Sequence, residues 1–159
     1  MRPGSSSRHA CHVTLQVSVV GSGTEWETAA ETVGRLLAER GCVVVTGGLD
    51  EVMAAAHRGA KAAGGTTIAI LPGETRDAAN PWADHAVATG IGHARNLAVV
   101  ASGDAVIAVG GSYGTVAEMA FALRLGRRLV ALEGAPEVDG AIRATTPGEA
   151  VELALRDLG

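Results

Sequence analysis

Five apolar runs constrain the fold of this chain more than any other feature. Leu15–Val20, Cys42–Thr46, Thr66–Leu71, Ala105–Val109 and Leu129–Leu132 are each four to six residues long. They are hydrophobic almost throughout, without the in–out alternation of a strand that faces water on one side. Such runs read as strands buried on both faces, which is the pattern of a parallel sheet covered by helices. His85–Ala88 is a further short strand candidate. Amphipathic stretches separate the runs. Thr24-Glu-Trp-Glu27 reads as a capping box opening a helix to about Glu39. Asp50–Ala63 is helical up to Gly64-Gly65, Ala94–Ala101 is shorter, and Thr115–Leu125 stops at Gly126. Thr146-Pro147-Gly148-Glu149 is a second capping box, with proline at the first helical position, and its helix runs to about Leu158.

Strand–helix alternation with short loops predicts an α/β chain. The expected architecture is a single-domain, Rossmann-like, doubly wound, mostly parallel open sheet with helices on both faces and right-handed crossovers. The 159 residues suffice for one domain, expected over 13–159, after a loose polar tail at 1–12. The apolar share is 47% but the aromatic share only 3%, so Ala, Val, Leu and Ile must fill the core. A net charge of −4 argues against nucleic acid as a partner, and no block of like charges suggests a membrane surface. The run Val13–Val20 is too short for a membrane span. Cys11 and Cys42 lack metal-ligand spacing and read as free thiols of a reducing cytosol, so a cytoplasmic location is expected.

Ligands of doubly wound sheets bind beyond the carboxyl ends of the strands. Three of the glycine clusters fall there: Gly21-Ser22-Gly23, Gly47-Gly48 and Gly110-Gly111. The third belongs to a strand, a glycine-rich turn and a helix, Ala105 to Glu118, the arrangement that binds anions through backbone N–H groups and the helix dipole. A nicotinamide-dinucleotide fingerprint is not met, because Trp26 stands where its third glycine would be. No Walker-type loop exists. The lone lysine, Lys61, lies within a helix candidate, against a Schiff-base role. His9, His12, His57, His85 and His93 show no metal-ligand spacing, and no metal is expected. Of the histidines, His85 and His93 flank the candidate site.

Arg95 and Glu118 form the strongest chemical pair. A guanidinium at a helix start can make a bidentate contact to phosphate or carboxylate. Glu118, placed in the first turn after the glycine loop, has two bland readings: a helix-terminal acid worth about 0.3–1 kcal/mol, or an ion-pair partner of Arg95.

With these residues in hand, the chain resembles the Rossmann-like family of the molybdenum cofactor carrier proteins and their bacterial relatives. More distantly it is similar to the Lonely Guy cytokinin-activating phosphoribohydrolases. The matching segments are Val19–Gly23, Val45–Leu49, Val52–Ala60, Ile70-Leu71-Pro72-Gly73, Ala79–Pro81, Thr89–Asn96 and Gly110–Glu118. The resemblance implies a homo-oligomer, dimer or tetramer, and a small phosphorylated ligand, either a bound molybdopterin-type cofactor or a nucleotide. It implies a ligand site drawn from Gly21, Ser22, Gly23, Gly47, Gly48, Pro72, Gly73, Arg95, Asn96, Gly110, Gly111, Ser112, Tyr113, Gly114, Thr115 and Glu118.

In the hydrolases the signature is P-G-G-x-G-T-x-x-E, and an arginine works with the glutamate on an N-glycosidic bond. Here Gly114, Thr115 and Glu118 match, Gly110 replaces the proline, Ser112 replaces the second glycine, and Asn96 replaces the basic residue after the arginine. The relatives also continue with glycine after Gly47-Gly48-Leu49, where this chain has Asp50-Glu51; two carboxylates there would repel a phosphate. Two functions are therefore expected as alternatives. One is a binding or carrier protein for a phosphorylated heterocycle. The other is a nucleoside 5′-monophosphate phosphoribohydrolase with Arg95 and Glu118 as its catalytic residues and no required cofactor.

Overall fold

The computed structural model describes residues 13–159. The tail expected at residues 1–12, with Cys11, His9 and His12, lies outside the described residues. Seven parallel strands form one sheet: β1 (Gln16–Ser22), β2 (Val43–Thr46), β3 (Thr67–Leu71), β4 (His85–Ala88), β5 (Ala105–Gly110), β6 (Arg128–Leu132) and β7 (Ile142–Ala144). Their spatial order is β4-β3-β2-β1-β5-β6-β7. Among the described residues the α-helices are α1 (Glu27–Glu39), α2 (Val52–Ala62), α3 (Arg95–Ser102), α4 (Tyr113–Arg124) and α5 (Pro147–Leu155).

The apolar runs account for the layering. Val17 and Val19 of β1, with Ile107 and Val109 of β5, pack under α1, α2 and α5. Val20, Val106 and Ala108 face the other way, under α3 and α4. Both faces are covered, so each strand must be hydrophobic at successive positions. Within this core Ser18 is fully buried, and its hydroxyl donates to the Val99 carbonyl at 2.6 Å. That bond ties α3, and so Arg95 at its start, to the central strand.

Strand order reverses between β1 and β5, where ligands of such sheets bind. The two strands run in register from Val17 opposite Ala105 to Ser22 opposite Gly110. The first and third glycine loops therefore leave the sheet side by side.

Three sequence expectations are corrected and one strand is added. Thr24-Glu-Trp-Glu27 forms no capping box: Thr24–Trp26 is a single 3-10 turn, and no side chain caps α1. The Trp26 ring is instead wedged beneath Gly110 and Gly134, where an added Cβ would lie 2.1 and 2.2 Å from the indole. Helix α2 starts at Val52, not Asp50, because Glu51 has φ +57°, which no helix accommodates. Helix α4 begins two residues before Thr115, so Glu118 sits in its second turn and no acid lies in the first. Strand β7 was not anticipated: Ile142 and Arg143 are exposed, and three residues carry no periodic signal. The last capping interaction does form, with the Glu149 N–H donating to Thr146 Oγ1 at 3.1 Å.

Candidate functional site

A cleft of about 200 Å³ opens at the carboxyl ends of β1 and β5. Nine of the anticipated ligand residues line it: Gly21, Ser22, Gly47, Arg95, Asn96, Ser112, Gly114, Thr115 and Glu118. Val19, Val20, Met53 and His93 complete the wall. A lone methionine at a helix start and two core valines carry no sequence signal for a site. In sequence His93 stands only as a neighbour of the motif.

The other anticipated residues, Gly23, Gly48, Pro72, Gly73, Gly110, Gly111 and Tyr113, are not on the cleft wall. Several act behind it. The Gly92 N–H donates to the Pro72 carbonyl at 3.0 Å, and the Gly90 N–H to the Gly73 carbonyl at 2.8 Å. Pro72-Gly73 thus anchors the turn that delivers Arg95. Gly48 is buried, and its N–H donates to Thr46 Oγ1 at 2.9 Å. Tyr113 is 93% exposed beside the mouth.

Arg95 dominates the electrostatics. Only 8% of it is exposed, yet its Nε has no hydrogen-bond partner among the described residues. One terminal nitrogen donates to Asn96 Oδ1. The guanidinium lies flat on Gly47: a Cβ there would be 2.8 Å from Cζ and from both terminal nitrogens. Glycine at position 47 is what permits this approach. Burial lowers the Arg95 pKa, opposed by the Glu118 carboxylate, but an arginine remains charged. A buried cation with an unused donor fits an anionic ligand.

Glu118 faces the same cleft. Burial pushes its carboxyl up to about 7, against the pull of Arg95. Among the described residues no ion pair within 4.0 Å joins the two. Both bland readings of Glu118 are therefore set aside: it neither complements the first turn of α4 nor closes on Arg95. Across the cleft, the first turn of α4 leaves the Tyr113 and Gly114 amides without intrahelical partners. The Ser112 N–H donates to Thr115 Oγ1 at 3.3 Å, which folds the turn back on itself.

One amide in each of the other two loops is committed internally. Besides the Gly48 bond, the Gly23 N–H donates to Glu51 Oε2 at 2.6 Å. Behind them His57 is fully buried, and burial pushes it down to about 4, so it is neutral. The Asn80 side-chain amide donates to His57 Nδ1 at 3.2 Å, which leaves Nε2–H to donate to Thr46 Oγ1 at 3.1 Å. The Trp82 N–H on Asn80 Oδ1 fixes that orientation of the amide. His57 braces the Gly47-Gly48 turn, and so the platform under Arg95. Among the described residues no cluster of three or more His, Cys, Asp or Glu is placed for a metal, and no helix is long and apolar enough to cross a membrane.

Comparison with known proteins agrees with this architecture. The SLOG cluster4 family matches residues 14–154. An uncharacterised protein of Archaeoglobus fulgidus is 44% identical over 144 residues, covering 89% of this chain and 95% of its own. The molybdenum cofactor binding protein of Rippkaea orientalis superposes with a TM-score of 0.84 at 32% identity, over 89% of this chain and 96% of that one. The molybdenum cofactor carrier protein of Chlamydomonas reinhardtii gives 0.82 at 29% identity, over 91% and 98%.

Proposed function

The chain belongs to the SLOG cluster4 family, and we propose that it is a binding or carrier protein for a phosphorylated heterocycle, a molybdopterin-type cofactor or a nucleotide, held at the carboxyl edge of the sheet. The observation that carries this reading is the buried Arg95 side chain on the cleft wall, whose Nε has no hydrogen-bond partner among the described residues. In the proposed complex Arg95 neutralises the phosphate, and the free amides at the start of α4 with the Ser112 and Thr115 hydroxyls surround it. The cofactor is cargo here, and no group is needed for catalysis. At about 200 Å³ the cleft is smaller than the roughly 300–1,000 Å³ of pockets that enclose a whole drug-sized ligand. It suits the phosphate end, and the heterocycle lies at the mouth near His93 and Tyr113. The similarity to molybdenum cofactor binding and carrier proteins supports the pterin as cargo.

We further propose a cytoplasmic homo-oligomer, dimer or tetramer. The apolar side chains left exposed on α3 (Leu97), on α4 (Val116, Phe121) and at the end of α4 (Leu125) support that assembly.

One observation favours a second reading, nucleoside 5′-monophosphate hydrolysis. A carboxyl that ionises near 7 can give and take a proton at neutral pH. In that reaction water adds to the anomeric carbon as the bond to the base breaks. Glu118 supplies the proton that the base takes and recovers one from the water, while Arg95 holds the phosphate. Incubation with AMP separates the readings. The carrier binds AMP or a pterin phosphate and releases no base; the hydrolase releases adenine, and Glu118→Gln stops the release without weakening binding.

A further inference from the structure

Glu51 stands out from its surroundings in two ways. Its backbone, at φ +57° and ψ −124°, is in a region that glycine enters freely and other residues rarely adopt. Its carboxylate reaches across 28 residues to accept the Gly23 N–H at 2.6 Å. That amide sits at the end of the first glycine loop, one residue beyond Ser22, which is paired in register with Gly110. Ser22 lines the cleft with Ser112 and Thr115, and neighbouring strands lie about 4.8 Å apart, so a second phosphate would extend from the cleft past Ser22 to the Gly23 amide behind its wall.

We propose that Glu51 is a specificity-determining residue: its carboxylate holds the anion position of the first glycine loop, so the cleft takes ligands with one phosphate and rejects those with two. The inference rests on reading the cleft as a phosphate site. The ligand class is then monophosphate esters, and diphosphates and dinucleotides are excluded by an occupied amide and a fixed negative charge. Trp26 reinforces the exclusion, because its ring fills the space against Gly110 and Gly134.

The test is calorimetric titration of wild type, Glu51→Gly and Glu51→Gln with inorganic phosphate and pyrophosphate. Glu51→Gly keeps the fold, because glycine adopts this backbone without strain. Wild type is expected to bind pyrophosphate no more tightly than phosphate. Glu51→Gly is expected to favour pyrophosphate over phosphate at least tenfold. Glu51→Gln keeps an oxygen on the amide and gains less. Tenfold preference for pyrophosphate already in wild type overturns the proposal, as does an unchanged ratio, or no binding of either, in Glu51→Gly. Equal gains in both variants support Glu51 as the determinant and assign the exclusion to its charge. If wild type binds neither anion, the phosphate reading of the cleft fails, while the Glu51→Gly result still decides the role of Glu51.

Discussion

Glu118→Gln is expected to make the protein more stable, and only above acid pH. The Glu118 carboxyl ionises near 7 in the folded protein, against 4.5 for an ordinary glutamate. Burial away from water is the main cause, and Arg95 offsets it only in part. Between pH 4.5 and 7 the folded chain therefore retains a proton that the unfolded chain has released. Stability falls as pH rises through that window, because the folded state must then ionise a group it holds poorly. At 1.36 kcal/mol per pH unit, the full difference is about 3 kcal/mol, present above pH 7 and absent below pH 4.5. Glutamine has a similar shape and no charge at any pH. Urea unfolding of both proteins from pH 4.5 to 8 should show equal stability at the acid end. At pH 8 the variant should lead by about 3 kcal/mol, or roughly 6–12 °C in Tm for a domain of this size. A variant no more stable than wild type at pH 8 would refute the reasoning. It would mean that Arg95 compensates the buried carboxylate fully.

Two further outcomes are expected. Gly47→Ala places a Cβ 2.8 Å from the Arg95 guanidinium, against about 3.5 Å for ordinary carbon contact. The guanidinium must shift by roughly 0.7 Å, so AMP affinity should fall about 10–100-fold, the loss of one charge-assisted hydrogen bond, while thermal unfolding changes little. A large fall in Tm with affinity intact would contradict this. Phe121→Glu, on the exposed face of α4, should leave the fold intact and convert the proposed oligomer to monomers in sedimentation velocity; an unchanged mass would remove α4 from the proposed interface.

The sheet was legible because doubly buried strands must be apolar at successive positions, and β1, β2, β3, β5 and β6 each satisfy that within a residue or two. Strand β7 is not legible because only Ala144 of its three residues is buried. The pairing of Arg95 with Glu118 across one cleft was legible because both follow strands that end at the same sheet edge. Their electrostatics were not, because burial is a property of the packed α3 and α4. Nor does sequence register where backbone amides go. The first two glycine loops look like anion cradles in sequence, yet Glu51 and Thr46 already occupy the Gly23 and Gly48 amides. The capping box expected at Thr24 lost to tertiary contacts, with Trp26 wedged beneath Gly110 and Gly134.

The central claim is that Arg95 holds a ligand phosphate. It is tested most directly by the Tm of wild type and Arg95→Ala with and without AMP. At a ligand concentration of about 100 Kd, wild type should gain about 2.7 kcal/mol, a rise of roughly 5–10 °C. Arg95→Ala, at the same AMP concentration, should not move. No rise in wild type at millimolar AMP, or an equal rise in Arg95→Ala, would contradict the claim.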